Sequence, residues 1–337
     1  MNQSQRVIST ITCPTTDEPK MPPLDTLPTA WRLFPVLLFL VCDGSSLSTA
    51  VGEDQTKTSG ETTENVNVLS YNIHMWQIGV DDLATIIRQS GADIVGLNEA
   101  WNEKKNEAIA QELGFNAVYG GRSPTEPHPA KTHTINGFYM PQVLLTKHKV
   151  IHSEVFNALA AKDHERFDSD VPIHRGGTLA VLETAKGNRI VVFVLHLHPW
   201  GEGSDEKMTS MRLQEIEGIA KKLQPYQDLP VVILGDFNTQ SHVDVDGGWK
   251  VTRFLESQGY EDLYRTTRPD PQSHPGQTFR DTRIDYIFHN QHCSAVSSQV
   301  VQEGVFGSRG YDQSDHLAIS GVLKVETSTK PAVHPVN

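Results

Sequence analysis

The stretch Val231-Val232-Ile233-Leu234-Gly235-Asp236-Phe237-Asn238 constrains this chain more than any other. A short β-branched apolar run, bounded on both sides, reads as a buried strand. It closes on glycine, then sets a carboxylate and a carboxamide two residues apart. Side chains alternate along an extended chain, so Asp236 and Asn238 are expected on one face. Taken alone, the pair fits a turn as readily as a catalyst, because Asp and Asn are common turn residues.

The pattern recurs. Val66–Tyr71 leads to Asn72, Asp93–Leu97 to Asn98 and Glu99, and Ile190–Leu195 to His196, Leu197 and His198. Arg283–Phe288 holds Asp285 inside an apolar run, and Ser314-Asp315-His316 directly precedes Leu317–Leu323. In an α/β fold the strand ends share one edge of the sheets, so these groups can converge.

Between the strands lie helix signals. Asp81 or Asp82 caps a helix through Leu83, Ile86 and Ile87 that stops at Gly91, and Asn102 starts another that stops at Gly114. Met211–Tyr226 carries Leu213, Ile216, Ile219, Ala220 and Leu223 on one face, and Trp249–Gln258 ends at Gly259. Further strands are expected at Pro141–Lys147, Thr178–Glu183 and Ile190–Leu197, the last two joined by the hairpin signal Gly187-Asn188. Hairpins mixed with helices predict mixed sheets. The polar strand ends run from Asn72 to His316, so a single catalytic domain over residues 65–326 is expected, followed by a tail at 327–337. Gly120–Gly137 and His164–Gly177 read as loops beside the site.

Residues 1–50 read as a leader. Arg32 precedes the apolar run Leu33–Cys42, which is well short of the ~20 residues that span a bilayer, and small residues follow to Ser48-Thr49-Ala50. That pattern fits a secretory signal peptide, starting at Met1 or Met21; a buried segment or a membrane anchor are the alternatives. Residues 51–64 form a Thr/Glu/Ser/Gly-rich linker expected to be disordered. The mature protein is therefore expected outside the cell, or else in the endomembrane lumen. Cys13 and Cys42 leave with the leader, so Cys293 has no disulfide partner. No membrane-spanning segment of the mature chain and no protein partner is evident.

The formal net charge of −12 argues mildly against a scaffold that gathers nucleic acid nonspecifically. It leaves room for a nuclease, because bound cations reverse the local field. Glu99 and Asp315 are hard oxygen donors and Asn72 adds a neutral one. Few carboxylates on separate elements suit Mg²⁺ or Mn²⁺, which keep waters and share phosphate oxygens. His196 and His198 make a possible zinc half-site, with both rings on one face, but further ligands are not evident. Asp236 and Asn238 can position a water and a phosphate oxygen. Asp285 can hold His316 in one tautomer, as base, acid or phosphate donor, with His196 a second donor. Each residue alone is as well explained as a cap or a turn. Together they supply what phosphoester hydrolysis needs.

In chain order, SYNI with Asn72, LNEA with Glu99, HLH with His196, GDFN with Asp236 and Asn238, RIDYIF with Asp285, and SDH with Asp315 and His316 resemble the endonuclease/exonuclease/phosphatase superfamily. That superfamily takes in pancreatic-type deoxyribonucleases, abasic-site endonucleases, neutral sphingomyelinases and inositol polyphosphate 5-phosphatases. The resemblance covers about Val66 to Val325. It implies an α/β fold, a four-layer αββα sandwich with two packed mixed β-sheets, and Mg²⁺-dependent phosphoester cleavage by in-line attack of water. By the matching motifs, Asn72, Glu99 and Asp315 fall at metal positions. Asp236 and Asn238 fall at water- and phosphate-orienting positions, Asp285 and His316 form the Asp–His pair, and His196 matches the phosphate-binding histidine. The base is assigned to either Asp236 or His316.

Some features depart from the named branches. Abasic-site endonucleases carry an acid where this chain has His74, and pancreatic-type nucleases carry a disulfide that the chain would not have once its leader is removed. His242, Asp244 and Thr278 are candidates to shape a substrate pocket, or are ordinary loop residues. The expected activity is a phosphodiesterase or phosphatase. A secreted nuclease would need a basic groove. A sphingomyelinase-like lipid enzyme would need an exposed apolar hairpin, for which Trp200 and Trp249 are candidates, core positions being the equal alternative for either. A catalytically inactive binding module on the same fold is the reading from a different class, and the filled polar positions speak against it.

Overall fold

The computed structural model describes residues 63–118, 134–135, 138–139, 142–157, 176–198, 206–246, 250–301 and 314–326. The leader, nearly all of the linker, the tail, Trp200, Trp249 and most of the two expected loops lie outside the described residues.

The elements run β1 (Glu64–Asn72), α1 (Val80–Ser90), β2 (Ile94–Asn98), α2 (Glu103–Leu113), β3 (Asn116–Val118), β4 (Thr134–Ile135), β5 (Phe138–Tyr139), β6 (Val143–Thr146) and β7 (Lys149–Asn157). They continue with β8 (Gly176–Glu183), β9 (Arg189–His196), α3 (Glu206–Leu223), β10 (Val231–Asp236), α4 (Lys250–Ser257), β11 (Glu261–Asp262), α5 (Leu263–Thr267), β12 (Asp285–His289), β13 (Cys293–Val300) and β14 (Ile319–Val325).

One six-stranded sheet has the order β13-β14-β1-β2-β6-β3, the other β11-β12-β10-β9-β8-β7. Both are mixed, as the hairpin signals imply: β1–β2 and β9–β10 pair in parallel and their neighbours antiparallel. The inner strands β2, β9, β10 and β12 are buried on both faces, which is why they read as near-continuous apolar runs. Val66, Val68, Ile94, Val192, Val194, Val232, Leu234 and Ile287 fill the space between the sheets. Leu69 and Tyr71 face outward onto α1 and α2 through Leu83, Ile86, Ile87 and Ile109. Val191, Phe193, Val231, Ile233 and Phe288 face outward onto α3 and α4 through Ile216, Ile219, Val251 and Leu255. This is the four-layer αββα sandwich. Gly96 marks where the sheets approach closely: a Cβ there would lie 2.3 Å from Leu234 Cδ1.

The helix ends show local chemistry at work. Asn102 caps α2 by accepting from Lys105 N, a contact worth ~1 kcal/mol, and Gly114 closes it in the left-handed region. The cap of α1 is Gly79 rather than Asp81 or Asp82, which instead sit in the first turn, where their charge favours the helix dipole.

Candidate active site

The parity that builds the core also builds the site. Asn72 shares its face of β1 with Val66 and Val68, and Asn98 its face of β2 with Ile94. His196 follows Val192 and Val194, Asp236 follows Val232 and Leu234, and Asp285 precedes Ile287. Five polar side chains on five strand ends therefore face the space between the sheets at one edge of the sandwich.

Asp236 is the junction. Its Oδ2 accepts from Asn72 Nδ2 at 3.0 Å and lies 3.5 Å from His196 Nε2 and 3.8 Å from His316 Nε2. Asn72 Nδ2 also donates to Glu99 Oε1 at 3.2 Å. On the far side of the imidazole, His316 Nδ1 meets Asp285 Oδ2 at 2.8 Å. Asp315 is further out: its side chain is 41% exposed and pairs with His74 Nδ1 at 3.1 Å. His74 N in turn donates to Asn72 Oδ1 at 3.0 Å, so Asp315 joins the same network.

Backbone geometry departs from extended alternation where the site begins. Asn238 adopts φ 49° and Glu99 φ 56°, both in the left-handed region that non-glycine residues rarely occupy. The strand ends at Asp236, so the expectation that Asp236 and Asn238 share an extended face does not hold. Asn238 still reaches the site edge: its N–H donates to Asp236 Oδ1 at 2.8 Å and its amide to Leu197 O at 3.1 Å. The same reason undoes the shared face of His196 and His198. β9 ends at His196, and the His198 peptide is gripped by α3, its N–H donating to Glu215 Oε2 at 2.9 Å and its carbonyl accepting from Arg212 at 3.1 Å.

Several further residues position the site, among them Asn98 of LNEA and Ser314 of SDH. Asn98 bridges the sheets, donating to Leu195 O at 2.6 Å and accepting from Asp236 N at 2.9 Å. Thr278 Oγ1 accepts from the N–H groups of Ile284 and Asp285, and its carbonyl accepts from Leu317 N at 2.6 Å. The Phe279 ring lies 4.7 Å from the His316 ring, tilted by 39°. Ser314 Oγ donates to Asn72 O and accepts from His316 N, tying the SDH segment to the end of β1. Thr278 is thus a scaffold for Asp285. Asp244 is spent on Arg265 and Arg283, and His242 on Thr252 and Glu256, so their side chains serve loop architecture. One signal was available in the sequence for Arg212 and Glu215: both are charged residues at the helical spacing of Ile216 and Ile219, and the fold buries both fully.

The electrostatics follow from burial. Loss of solvent, then the neighbouring Asp285, push Asp236 up to about 7, against the opposing pull of His316 and of the N–H donors from Asn238 and Asn72. For His316, burial works against the charge, but Asp285, Asp236 and Asp315 outweigh it and raise the imidazole to about 10. Burial also raises the Tyr71 phenol far above its ordinary range, so it stays neutral.

Oxygen donors dominate the cluster, which is what Mg²⁺ or Mn²⁺ prefers. Asp236, Asp285 and His316 offer ligand atoms within 4.8 Å of one another, and Asp285 Oδ1 is buried with no hydrogen-bond partner among the described residues. Crowded buried carboxylates of this kind fit a cation. Asn72 turns its nitrogen toward Glu99 and Asp236, so ligation there through its oxygen requires the amide to turn over.

Residues 69–316 match the Endonuclease/Exonuclease/phosphatase family. The chain belongs to that family. Its members are generally phosphoester hydrolases. The sequence is 23% identical over 332 residues to an uncharacterized protein of Caenorhabditis elegans, covering 85% of this chain and 96% of that one. Among solved structures, an endonuclease/exonuclease/phosphatase from Beutenbergia cavernae superposes with a TM-score of 0.57 at 18% identity, over 77% of this chain and 72% of that one. The human Nocturnin catalytic domain, solved with bound sulfate, gives 0.55 at 18% identity over 79% and 98%. An AP endonuclease from Archaeoglobus fulgidus gives 0.54 at 16% over 77% and 99%. At these identities the structural likeness establishes the fold.

Proposed function

We propose that this chain is a divalent-metal-dependent hydrolase of phosphoester bonds, acting by in-line attack of water. The observation that carries the reading is the single carboxylate oxygen, Asp236 Oδ2, within 3.0 Å of the Asn72 amide, 3.5 Å of His196 and 3.8 Å of His316. A buried base ringed by donors suits a reaction in which a proton leaves water while charge builds on phosphate oxygens.

In this reading, Glu99 and Asp315 would hold Mg²⁺ or Mn²⁺ while Asn72 keeps its amide on Asp236; a cation bound there would polarise the phosphoester and offset the negative charge of the site. Asp236, close to neutrality in its proton affinity, takes the proton from the attacking water. Asn238 orients that water through its contact with Asp236. His316, kept cationic by Asp285, donates to a phosphate oxygen, and His196 does so from the neighbouring strand.

The test is hydrolysis of bis-p-nitrophenyl phosphate, plasmid DNA, sphingomyelin and phosphoinositides by the purified chain, with and without EDTA. Turnover untouched by EDTA, or equal in Asp236→Ala, would sink the mechanism. We further propose that residues 1–50 direct secretion and are cleaved, because the apolar run is short and flanked by Arg32 and small residues. N-terminal sequencing of secreted material checks this, and a mature chain starting far from Val51 overturns it. Among the described residues no helix is long and apolar enough to cross a membrane.

A further inference from the structure

The proposed site gathers Glu99, Asp236, Asp285 and Asp315 at one sheet edge in a chain of net charge −12. A bound cation would offset that field at the scissile phosphate alone. Any further anionic group on the substrate would face uncompensated carboxylates unless another cation stands at the rim.

Four arginines lie in or beside the loop that leads into β12. Three are already committed: buried Arg265 pairs with half-buried Asp244, buried Arg283 pairs with Asp244 and with buried Asp262, and Arg268 donates to Ser298 O at 2.9 Å. The fourth, Arg280, is exposed, and no carboxylate pairs with it among the described residues. It rides a tight turn closed by Thr282 N donating to Phe279 O at 2.9 Å and Phe279 N donating to Thr282 O at 3.0 Å. Its backbone has φ 51°, an unfavourable state for an arginine. A surface arginine with no role would sit as well in a relaxed turn, and strain of this sort tends to collect at ligand clamps. Its guanidinium lies over the Phe279 ring, 5.0 Å from the centroid, and that ring in turn contacts His316 at 4.7 Å. Arg280 therefore stands one aromatic ring away from the imidazole, with its donors open to solvent.

We propose that Arg280 binds a second phosphate of the substrate, flanking the one that is cleaved, and so selects substrates bearing more than one phosphate. A guanidinium pre-set on an aromatic face loses little freedom on gripping a phosphate and presents a planar fork matched to it. Phe279 carries both jobs, steadying Arg280 on the rim and His316 in the site. The assignment rests on the phosphoesterase reading above, but binding can be measured apart from turnover.

The experiment compares thymidine monophosphate with thymidine bisphosphate on the full chain, wild type, Arg280→Gln and Arg280→Lys, by calorimetry. The wild type should bind the bisphosphate about tenfold more tightly or better, Arg280→Gln should lose that margin, and Arg280→Lys should keep part of it. A parallel pair, inositol monophosphate and bisphosphate, shows whether the second phosphate is carried on a nucleoside or a polyol. In turnover, Arg280→Gln should raise KM for the p-nitrophenyl ester of thymidine bisphosphate and leave bis-p-nitrophenyl phosphate unchanged. An unchanged margin in Arg280→Gln, for both pairs of ligands, overturns the proposal, as does an equal loss with one phosphate and with two. Wild-type binding that depends on Arg280 without any EDTA-sensitive turnover would instead overturn the hydrolase reading and leave the anion site standing.

Discussion

The Asn72 amide donates to Asp236 Oδ2 at 3.0 Å, joining residues 164 positions apart and one strand from each sheet. The bond sits at the edge where the two sheets meet, so the reacting carboxylate is aimed by the packing of the whole sandwich. Asn72→Ala removes the donor that also reaches Glu99. Loss of one preorganised donor to a reacting centre typically lowers kcat by about 10²-fold or more. Steady-state kinetics on bis-p-nitrophenyl phosphate should show that fall in kcat with a smaller change in KM, and a change confined to KM would refute the role.

Asp236 carries a stability consequence with a definite sign. Its carboxyl, ordinarily near 3.8, is raised to about 7 in the fold, and His316 is raised from 6.5 to about 10. A group raised on folding contributes stability in full below its unfolded value and loses it as pH climbs through its folded value. For Asp236 that window runs from about pH 4 to 7, and for His316 from about pH 6.5 to 10. Both act in one direction, so the metal-free protein should lose stability toward alkaline pH. Asp236→Asn removes the lower window and weakens the upper one. Its melting temperature should decline less from pH 5 to pH 9 than the wild type's, and at pH 8 should equal or exceed it, while hydrolysis is lost. A steeper decline in the variant would show that the Asp236 shift is misassigned.

The strand ends were legible because an acid, amide or imidazole closing an apolar run has few reasons to be there. Asn72, Glu99, His196, Asp236 and Asp285 could be found that way, and the alternating faces of their strands explain why they converge. Alternation stopped being a guide where the backbone left the extended region, at Asn238 and after His196. β7 and β13 were missed for a different reason. Both are edge strands whose polar stretches, such as Ser297-Ser298-Gln299, follow no buried run. Thr278 and Phe279 were invisible as positioning residues because their partners, Asp285 and His316, are brought to them only by the fold.

A cation held at the site should show in stability as well as in rate. Binding to the native state alone stabilises by about 2.7 kcal/mol at a hundredfold excess over Kd. Mg²⁺ or Mn²⁺ should therefore raise the melting temperature of the wild type at neutral pH, and EDTA should reverse both that rise and the activity. Glu99→Gln keeps the shape of the side chain and its contact with Asn72 but removes the charge. It should abolish most of the cation-induced rise. A wild-type-sized rise in Glu99→Gln would move the cation elsewhere, with the buried Asp236, Asp285 and His316 cluster the next place to look.

Gly235, the one glycine of GDFN, resists replacement for a reason that can be isolated. It has φ 144°, and a Cβ there would lie 1.9 Å from the Leu195 carbonyl oxygen. The same oxygen accepts from Asn98, whose own oxygen receives Asp236 N–H, so it cannot yield without disturbing the site. Gly187 offers a control: its φ of 81° is also left-handed, but nothing lies within 4 Å of a Cβ placed there. Gly187→Ala should cost about 1 kcal/mol, the backbone strain alone. Gly235→Ala adds a backbone clash inside a fully buried parallel pair, a mechanism in the class that exceeds about 4 kcal/mol. Urea melts of the two variants separate the contributions. Equal losses would mean that β9 and β10 move apart freely, and the rigid alignment of His196 with Asp236 would have to be abandoned.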